Sequence, residues 1–202
     1  MTKIVDVGGG KGSRYAKDFI NEYLPDMQDL EFVRLDADPG TDPDILQDIT
    51  RPIPKKHCGK YEVVYASHVI EHIAFWDSLA VVNNLLSLLR IGGYILIIVP
   101  NLEWACKQVL AGMCDLSVMA VLWGGQDNEW MYHKSGYTKT ALSVMAKRLE
   151  LTLMQLKSTP LYVFINEKET VASQHVMLAR KDKENQPLRI EIKPRERIPI
   201  VL

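Results

Sequence analysis

Short apolar runs alternate along this chain with segments of helical period. Ile4-Val5-Asp6-Val7, closed by glycines, predicts a buried strand, and Ser13 to Leu24 predicts a helix that Pro25 stops. Glu31 to Asp36 predicts a second strand, Asp44-Ile45-Leu46 a short third and Glu62 to Ala66 a fourth. From Phe75 to Arg90 the residues Phe75, Leu79, Val82, Leu86 and Leu89 recur at steps of four, three, four and three, one face of an amphipathic helix. Gly92-Gly93 predicts the C-terminal cap of that helix. Tyr94 to Val99 is the most hydrophobic strand, and Pro100 closes it. Thr138 predicts the N-cap of a helix carrying Leu142, Met145, Ala146 and Leu149. Leu151 to Leu156 and Ser173 to Ala179 predict two further strands.

Strands that alternate with helices imply an α/β protein with a mostly parallel sheet covered on both faces. The near-continuous apolar character of Tyr94 to Val99 suits a central strand. With 202 residues the chain fits one domain, expected over 1–180, followed by an extended or partly disordered tail over 181–202 that mixes charge with prolines.

Composition narrows the function classes without choosing among them. The hydrophobic fraction is 47% and the formal net charge −1, which argues against nucleic acid as a partner because phosphate contacts need clustered Lys and Arg. The three cysteines, Cys58, Cys106 and Cys114, have no metal-ligand spacing and predict reduced thiols, so the expected compartment is the cytoplasm and the expected metal content none. An acid, Asp6, stands where the apolar core of a signal peptide would have to be, so none is expected, and the longest strongly apolar run, Ile91 to Pro100, is far below the roughly 20 residues of a membrane span. Ala105 to Trp123 is apolar but interrupted by Lys107 and Asp115, which suits a packed helix or the contact of a homodimer.

The chemistry begins at the turn after the first strand. Asp6-Val7-Gly8-Gly9-Gly10-Lys11-Gly12 joins a strand to a helix, an arrangement that lets a ligand approach the backbone and the helix start. The spacing of Gly8, Gly10 and Gly12 is G-x-G-x-G, whereas the dinucleotide fingerprint needs glycine at position 13 or 15, where Ser13 and Tyr15 stand. A nicotinamide or flavin dinucleotide, and with it a Rossmann-like oxidoreductase, is therefore disfavoured. Asp36 ends the second strand at the distance expected of a carboxylate that accepts hydrogen bonds from ribose hydroxyls, with Asp38 its competitor. Asp48 can accept from an adenine amine, with Ile49 flanking the ring, and Ser67-His68 ends the fourth strand. All four positions fall at carboxyl ends of predicted parallel strands, the edge where open α/β sheets bind ligands.

Together, Val5 to Gly12, Leu35-Asp36-Ala37-Asp38, Gln47-Asp48-Ile49, Ser67-His68-Val69-Ile70-Glu71-His72-Ile73 and Leu89-Arg90-Ile91-Gly92-Gly93 resemble the class I S-adenosylmethionine-dependent methyltransferases, in particular the group typified by ubiquinone and menaquinone biosynthesis. The resemblance covers residues 3 to 101. It implies a Rossmann-like, doubly wound, seven-stranded sheet, mostly parallel with an antiparallel last strand, and S-adenosylmethionine as cofactor. It also implies roles: Asp6, Gly8, Gly10 and Gly12 toward the methionine part, Asp36 and Ala37 toward the ribose, Asp48 and Ile49 toward adenine, and Ser67 and His68 near the sulfonium. Many relatives carry helices before the first strand that cap the site. Here the strand begins at about residue 3, so the lid is expected from the segment after Pro100.

Methyl transfer is an in-line displacement in which alignment and exclusion of water do most of the work, so a catalytic residue is harder to read than the cofactor site. Trp123 to Tyr137 combines glycines, amides, acids, aromatic residues and His133, and is the expected substrate wall. His133 is the first candidate for a general base and also suits a structural hydrogen-bonding role; His72 and Glu71 are weaker candidates, and His57 and His175 carry no evident chemistry. Neither an Asn/Asp-Pro-Pro-Tyr/Phe motif nor a Pro-Cys nucleophile is present, so DNA-base methylation is not expected. The expected activity is methyl transfer to a small-molecule or saccharide acceptor; the alternatives are a catalytically idle cofactor-binding module acting through a partner, or an oxidoreductase.

Overall fold

The computed structural model describes residues 1–12, 15–128, 130–165 and 168–184, so the tail expected over 181–202 lies outside the described residues from 185 onward. Seven strands, β1 (Thr2–Val7), β2 (Leu30–Asp36), β3 (Ile45–Leu46), β4 (Tyr61–Ser67), β5 (Leu89–Pro100), β6 (Thr152–Ile165) and β7 (Lys168–Arg180), form one sheet in the order β3-β2-β1-β4-β5-β7-β6. β1 to β5 pair in parallel, and β7 runs antiparallel to both β5 and β6. This is the doubly wound, seven-stranded sheet that the resemblance implies.

Strand alternation divides the core. Along β5, Ile95, Ile97 and Val99 face the larger cluster while Leu96 and Ile98 face the smaller one. Helix α1 (Ala16–Tyr23) covers the smaller cluster through Ala16, Ile20 and Tyr23. Helices α2 (Ser78–Leu88) and α5 (Lys139–Arg148) cover the larger one through Val81, Val82, Leu85, Leu86, Leu142, Met145 and Ala146. Between β5 and α5 the chain forms a helical hairpin, α3 (Leu102–Leu110) and α4 (Leu116–Trp123), whose Ala105, Val118 and Val121 pack with Ala172 of β7. Among the described residues no helix is long and apolar enough to cross a membrane.

Three sequence expectations change. The helix predicted from Phe75 begins only at Ser78; Phe75 is 55% exposed and packs edge-on against Trp76, because residues 74 to 77 first make a tight turn closed by the Asp77 N–H on the Ala74 carbonyl. Gly92-Gly93 does not cap α2. The helix ends at Leu88, and its last carbonyls are met by a distant ammonium: Lys181 Nζ donates to Leu86 O at 3.1 Å and Leu89 O at 3.0 Å, and the residue is buried. The glycines lie inside β5, where its pairing with β4 slips, and a Cβ on Gly93 would come within 3.0 Å of the Glu62 and Arg90 carbonyl oxygens. Finally, the hairpin of β6 and β7 is far longer than the predicted strands. Pro160 interrupts the β6 pattern in sequence, yet β6 is an edge strand, where proline is tolerated.

Candidate active site

The strand order reverses between β1 and β4, so the turns after these two strands meet at the topological switch point of the sheet. Gly8 donates its N–H to Leu35 O at 2.8 Å, and a Cβ on it would stand 2.8 Å from Val69 Cγ2, so the turn after β1 is wedged against the turn after β4. Gly10, at φ +58°, has the opposite surroundings: nothing lies within 4 Å of where a Cβ would be. Its N–H donates to Asp36 Oδ2 at 3.1 Å. Asp36 Oδ1 accepts the Asp38 N–H at 3.0 Å, while Asp38 is turned away to cap the short turn Pro39–Thr41 through Gly40 N at 2.8 Å. The two acids thus have different surroundings. Asp36 faces the glycine turn, with lone pairs left on both oxygens, and Asp38 serves its own loop.

The other predicted cofactor positions gather along the same edge. Asp6 is buried on β1, and Ala37 follows Asp36 directly. Asp48 accepts from Thr50 N at 2.9 Å and Thr50 Oγ1 at 2.7 Å, and these bonds, outweighing partial burial and helped by Arg51, lower its pKa. Ile49 belongs to the core cluster of Val7 and Leu35, and its carbonyl is held by Asn84 Nδ2 at 3.1 Å. Ser67 ends β4. His68 follows at φ +55° and extends the ladder by donating its N–H to Ile98 O at 2.8 Å.

The His68 ring is fixed from two sides. Nε2 lies 3.0 Å from Gln174 Oε1, and Nδ1 lies 3.2 Å from Glu71 Oε1. The Gln174 amide is oriented by its own donations to Thr159 Oγ1 and Pro160 O, so its oxygen faces the ring. Burial pulls the imidazole pKa down, but the bond to and charge of Glu71, with Gln174, outweigh it and raise the value. Gln174 stands 106 residues away in sequence, on β7, and no local pattern marks it.

The segment after α4 folds back onto the β4 turn. The N–H groups of Lys134 and Ser135 donate to the Glu71 carbonyl at 2.8 and 3.0 Å. Buried Tyr137 is hydrogen-bonded through its hydroxyl to Ser78 Oγ at 2.8 Å and Ile70 O at 3.2 Å. His133 Nδ1 donates to Val121 O at 3.0 Å and His72 Nδ1 to Tyr132 O at 3.1 Å; a carbonyl can only accept, so Nδ1 carries a proton in both rings and the lone pair of the neutral tautomer lies on Nε2. The rings meet edge to face at 4.9 Å. Burial, the largest effect, lowers the His133 pKa, which favours the neutral ring. Glu71, His133, Ser135 and Tyr137 line a cleft of about 230 Å³ with Leu102 and Val121. The predicted substrate wall and the predicted source of the lid, the segment after Pro100, therefore both border this one cleft. His57 lies on a surface turn and His175 on β7, away from it.

The family model described as a methyltransferase domain matches residues 2–156. The chain belongs to the methyltransferase domain family. Membership makes it an enzyme and sets aside the oxidoreductase reading of the glycine turn. No curated protein matches the sequence significantly. Solved structures similar to this methyltransferase include an S-adenosylmethionine-dependent methyltransferase from Methanosarcina mazei, at 11% identity and TM-score 0.59, covering 89% of this chain and 92% of that one. Another is the 1,6-didemethyltoxoflavin N1-methyltransferase of Burkholderia thailandensis, solved with its didemethyltoxoflavin and S-adenosylhomocysteine, at 14% identity and TM-score 0.57, covering 90% and 71%. A third, from Archaeoglobus fulgidus, has 13% identity and TM-score 0.55 over 89% and 86%. At these identities the likeness is one of fold, and the family assignment rests on the domain match.

Proposed function

We propose that this methyltransferase uses S-adenosylmethionine to methylate a small-molecule or saccharide acceptor held in the cleft between the β4 turn and the segment after α4. The reading rests chiefly on Asp36, whose carboxylate is bonded to the Gly10 N–H beside open space at the topological switch point. That is a fitting cradle for a ribose diol next to a backbone that a ligand can approach closely. Asp6, Gly8 and Gly12 then border the methionine part, Ala37 the ribose, Asp48 and Ile49 the adenine, and Ser67 and His68 the region of the sulfonium. The cofactor supplies a methyl carbon with an excellent leaving group, so the chain has to orient the acceptor and exclude water.

Within the cleft burial favours the neutral ring of His133, whose Nε2 would then suit it to accept a proton from an acceptor hydroxyl or amine, with His72 beside it. The Burkholderia neighbour's small-molecule ligand supports that acceptor class. The free thiols of Cys58, Cys106 and Cys114 fit a cytoplasmic setting, and exposed Leu110, Met113 and Leu116 at the tip of the α3–α4 hairpin suit a homodimer contact. The test is calorimetry with S-adenosylhomocysteine, followed by a labelled-methyl screen over quinols, saccharides and small metabolites. Saturable binding and transfer to one of these acceptors are expected; absence of binding by either form of the cofactor would sink the proposal.

A further inference from the structure

Two residues that line the cleft, Glu71 and His133, meet there with His72, which lies next to Glu71 in sequence and 61 positions before His133. The ligating atoms of Glu71, His72 and His133 all lie within 4.8 Å of one another. Glu71 is 1% exposed; its Oε1 is met by His68 Nδ1, while Oε2 has no hydrogen-bond partner. A buried carboxylate oxygen without a donor is costly, and such atoms are ordinarily hydrogen-bonded or bound to a metal. His68 at 3.2 Å faces only Oε1.

The two histidines carry the second, independent sign. In metal sites a ligating imidazole characteristically donates its other ring N–H to a carbonyl or carboxylate, which fixes the tautomer and aims the free nitrogen. Both rings do this here, His72 to Tyr132 O and His133 to Val121 O. Metal–nitrogen and metal–oxygen bonds of roughly 2.0–2.2 Å place ligand atoms roughly 3–3.5 Å apart, so modest side-chain rotation closes the set around an ion. Two imidazoles and one carboxylate, with an open side toward a cleft, are donors for a divalent transition metal rather than for calcium or magnesium.

We infer that Glu71, His72 and His133 form a divalent transition-metal site, of the zinc or iron(II) class, on the acceptor side of the cleft. Such an ion acts as a Lewis acid on an acceptor oxygen and leaves His133 a ligand instead of a free base. This chemical role rests on the methyl-transfer reading, but the binding site does not.

The test is titration of the metal-stripped, tag-free protein with Co2+ followed by visible absorption, and with Zn2+ by calorimetry. One equivalent should bind, with a d–d spectrum of a low-coordinate nitrogen and oxygen site. His72→Ala and His133→Ala, at partly exposed positions, should each weaken binding by at least ~100-fold, beyond the ~10- to 100-fold typical of losing an outer partner. Glu71→Gln should do the same, with circular dichroism checking its fold; the two histidine variants decide the matter if it misfolds. Absence of stoichiometric binding, or unchanged affinity in the histidine variants, overturns the site. S-adenosylhomocysteine affinity, measured with and without metal, should stay the same, so failure of this site and failure of the cofactor reading give different results.

Discussion

Replacing Asp36 by alanine should separate a ribose-binding carboxylate from an ordinary loop acid. In the fold Asp36 already holds the Gly10 and Asp38 N–H groups, one on each oxygen. Each oxygen retains a further acceptor position for a ribose hydroxyl. A hydrogen bond to a charged group is worth about 1.5–3 kcal/mol net, so two would contribute about 3–6 kcal/mol. The full sum will not be seen, because water enters the space left by the carboxylate and solvates the freed hydroxyls. A loss of roughly 2–4 kcal/mol remains, which is roughly 30- to 700-fold in Kd. The assay is calorimetry of S-adenosylhomocysteine, with thermal unfolding of the unliganded variant to show that the turn survives. Asp38→Ala is the matched control: its carboxylate caps only the Pro39–Thr41 turn through Gly40, so it should cost about 1 kcal/mol of local stability and little affinity. Unchanged affinity in Asp36→Ala, or an equal loss in Asp38→Ala, would refute the assignment.

Lys181→Met should lower stability by about 2–3 kcal/mol in urea unfolding, since two bonds to the end carbonyls of α2 are lost while the aliphatic stem is kept. A change under ~0.5 kcal/mol would show that those carbonyls find other donors. Tyr137→Phe should cost about 1–2 kcal/mol by removing the hydroxyl bonded to Ser78 and Ile70, and it should raise acceptor KM more than it changes cofactor affinity, because this residue pins the segment after α4. Buried His175 has its pKa lowered mainly by burial, with Lys139 adding to this against Glu103. A value lowered in the fold means that the unfolded chain protonates first. Its stability contribution is therefore complete above about pH 6.5 and is lost as pH falls from there through the folded value. The Tm of His175→Gln should fall less than that of the parent between pH 7.5 and 5, and parallel curves would refute the linkage.

The positions proposed to hold the cofactor were legible in the sequence because they stand at strand ends. A run such as Ile4 to Val7 declares its own strand, and in a parallel sheet the residue after the strand must emerge at the ligand edge. Gly8, Asp36, Asp48 and His68 therefore share one edge whatever the helices between them do. The acceptor half follows no such rule. Glu71 and His72 are sequence neighbours, but His133 reaches them only because Lys134 and Ser135 are tied to the Glu71 carbonyl. That docking depends on buried Tyr137, whose partners lie 59 and 67 residues away. The misplaced cap of α2 has the same cause. A Gly-Gly pair satisfies a local rule for ending helices, but Lys181, 92 and 95 residues beyond the carbonyls it meets, supplies the charge instead. Periodicity reports what a segment can do alone, whereas a cation arriving from the end of the last strand, or a histidine from the segment after α4, is a property of topology. Glu71 and His72 adjoin in the chain, and only the fold of the segment after α4 brings His133 within 4.8 Å of them.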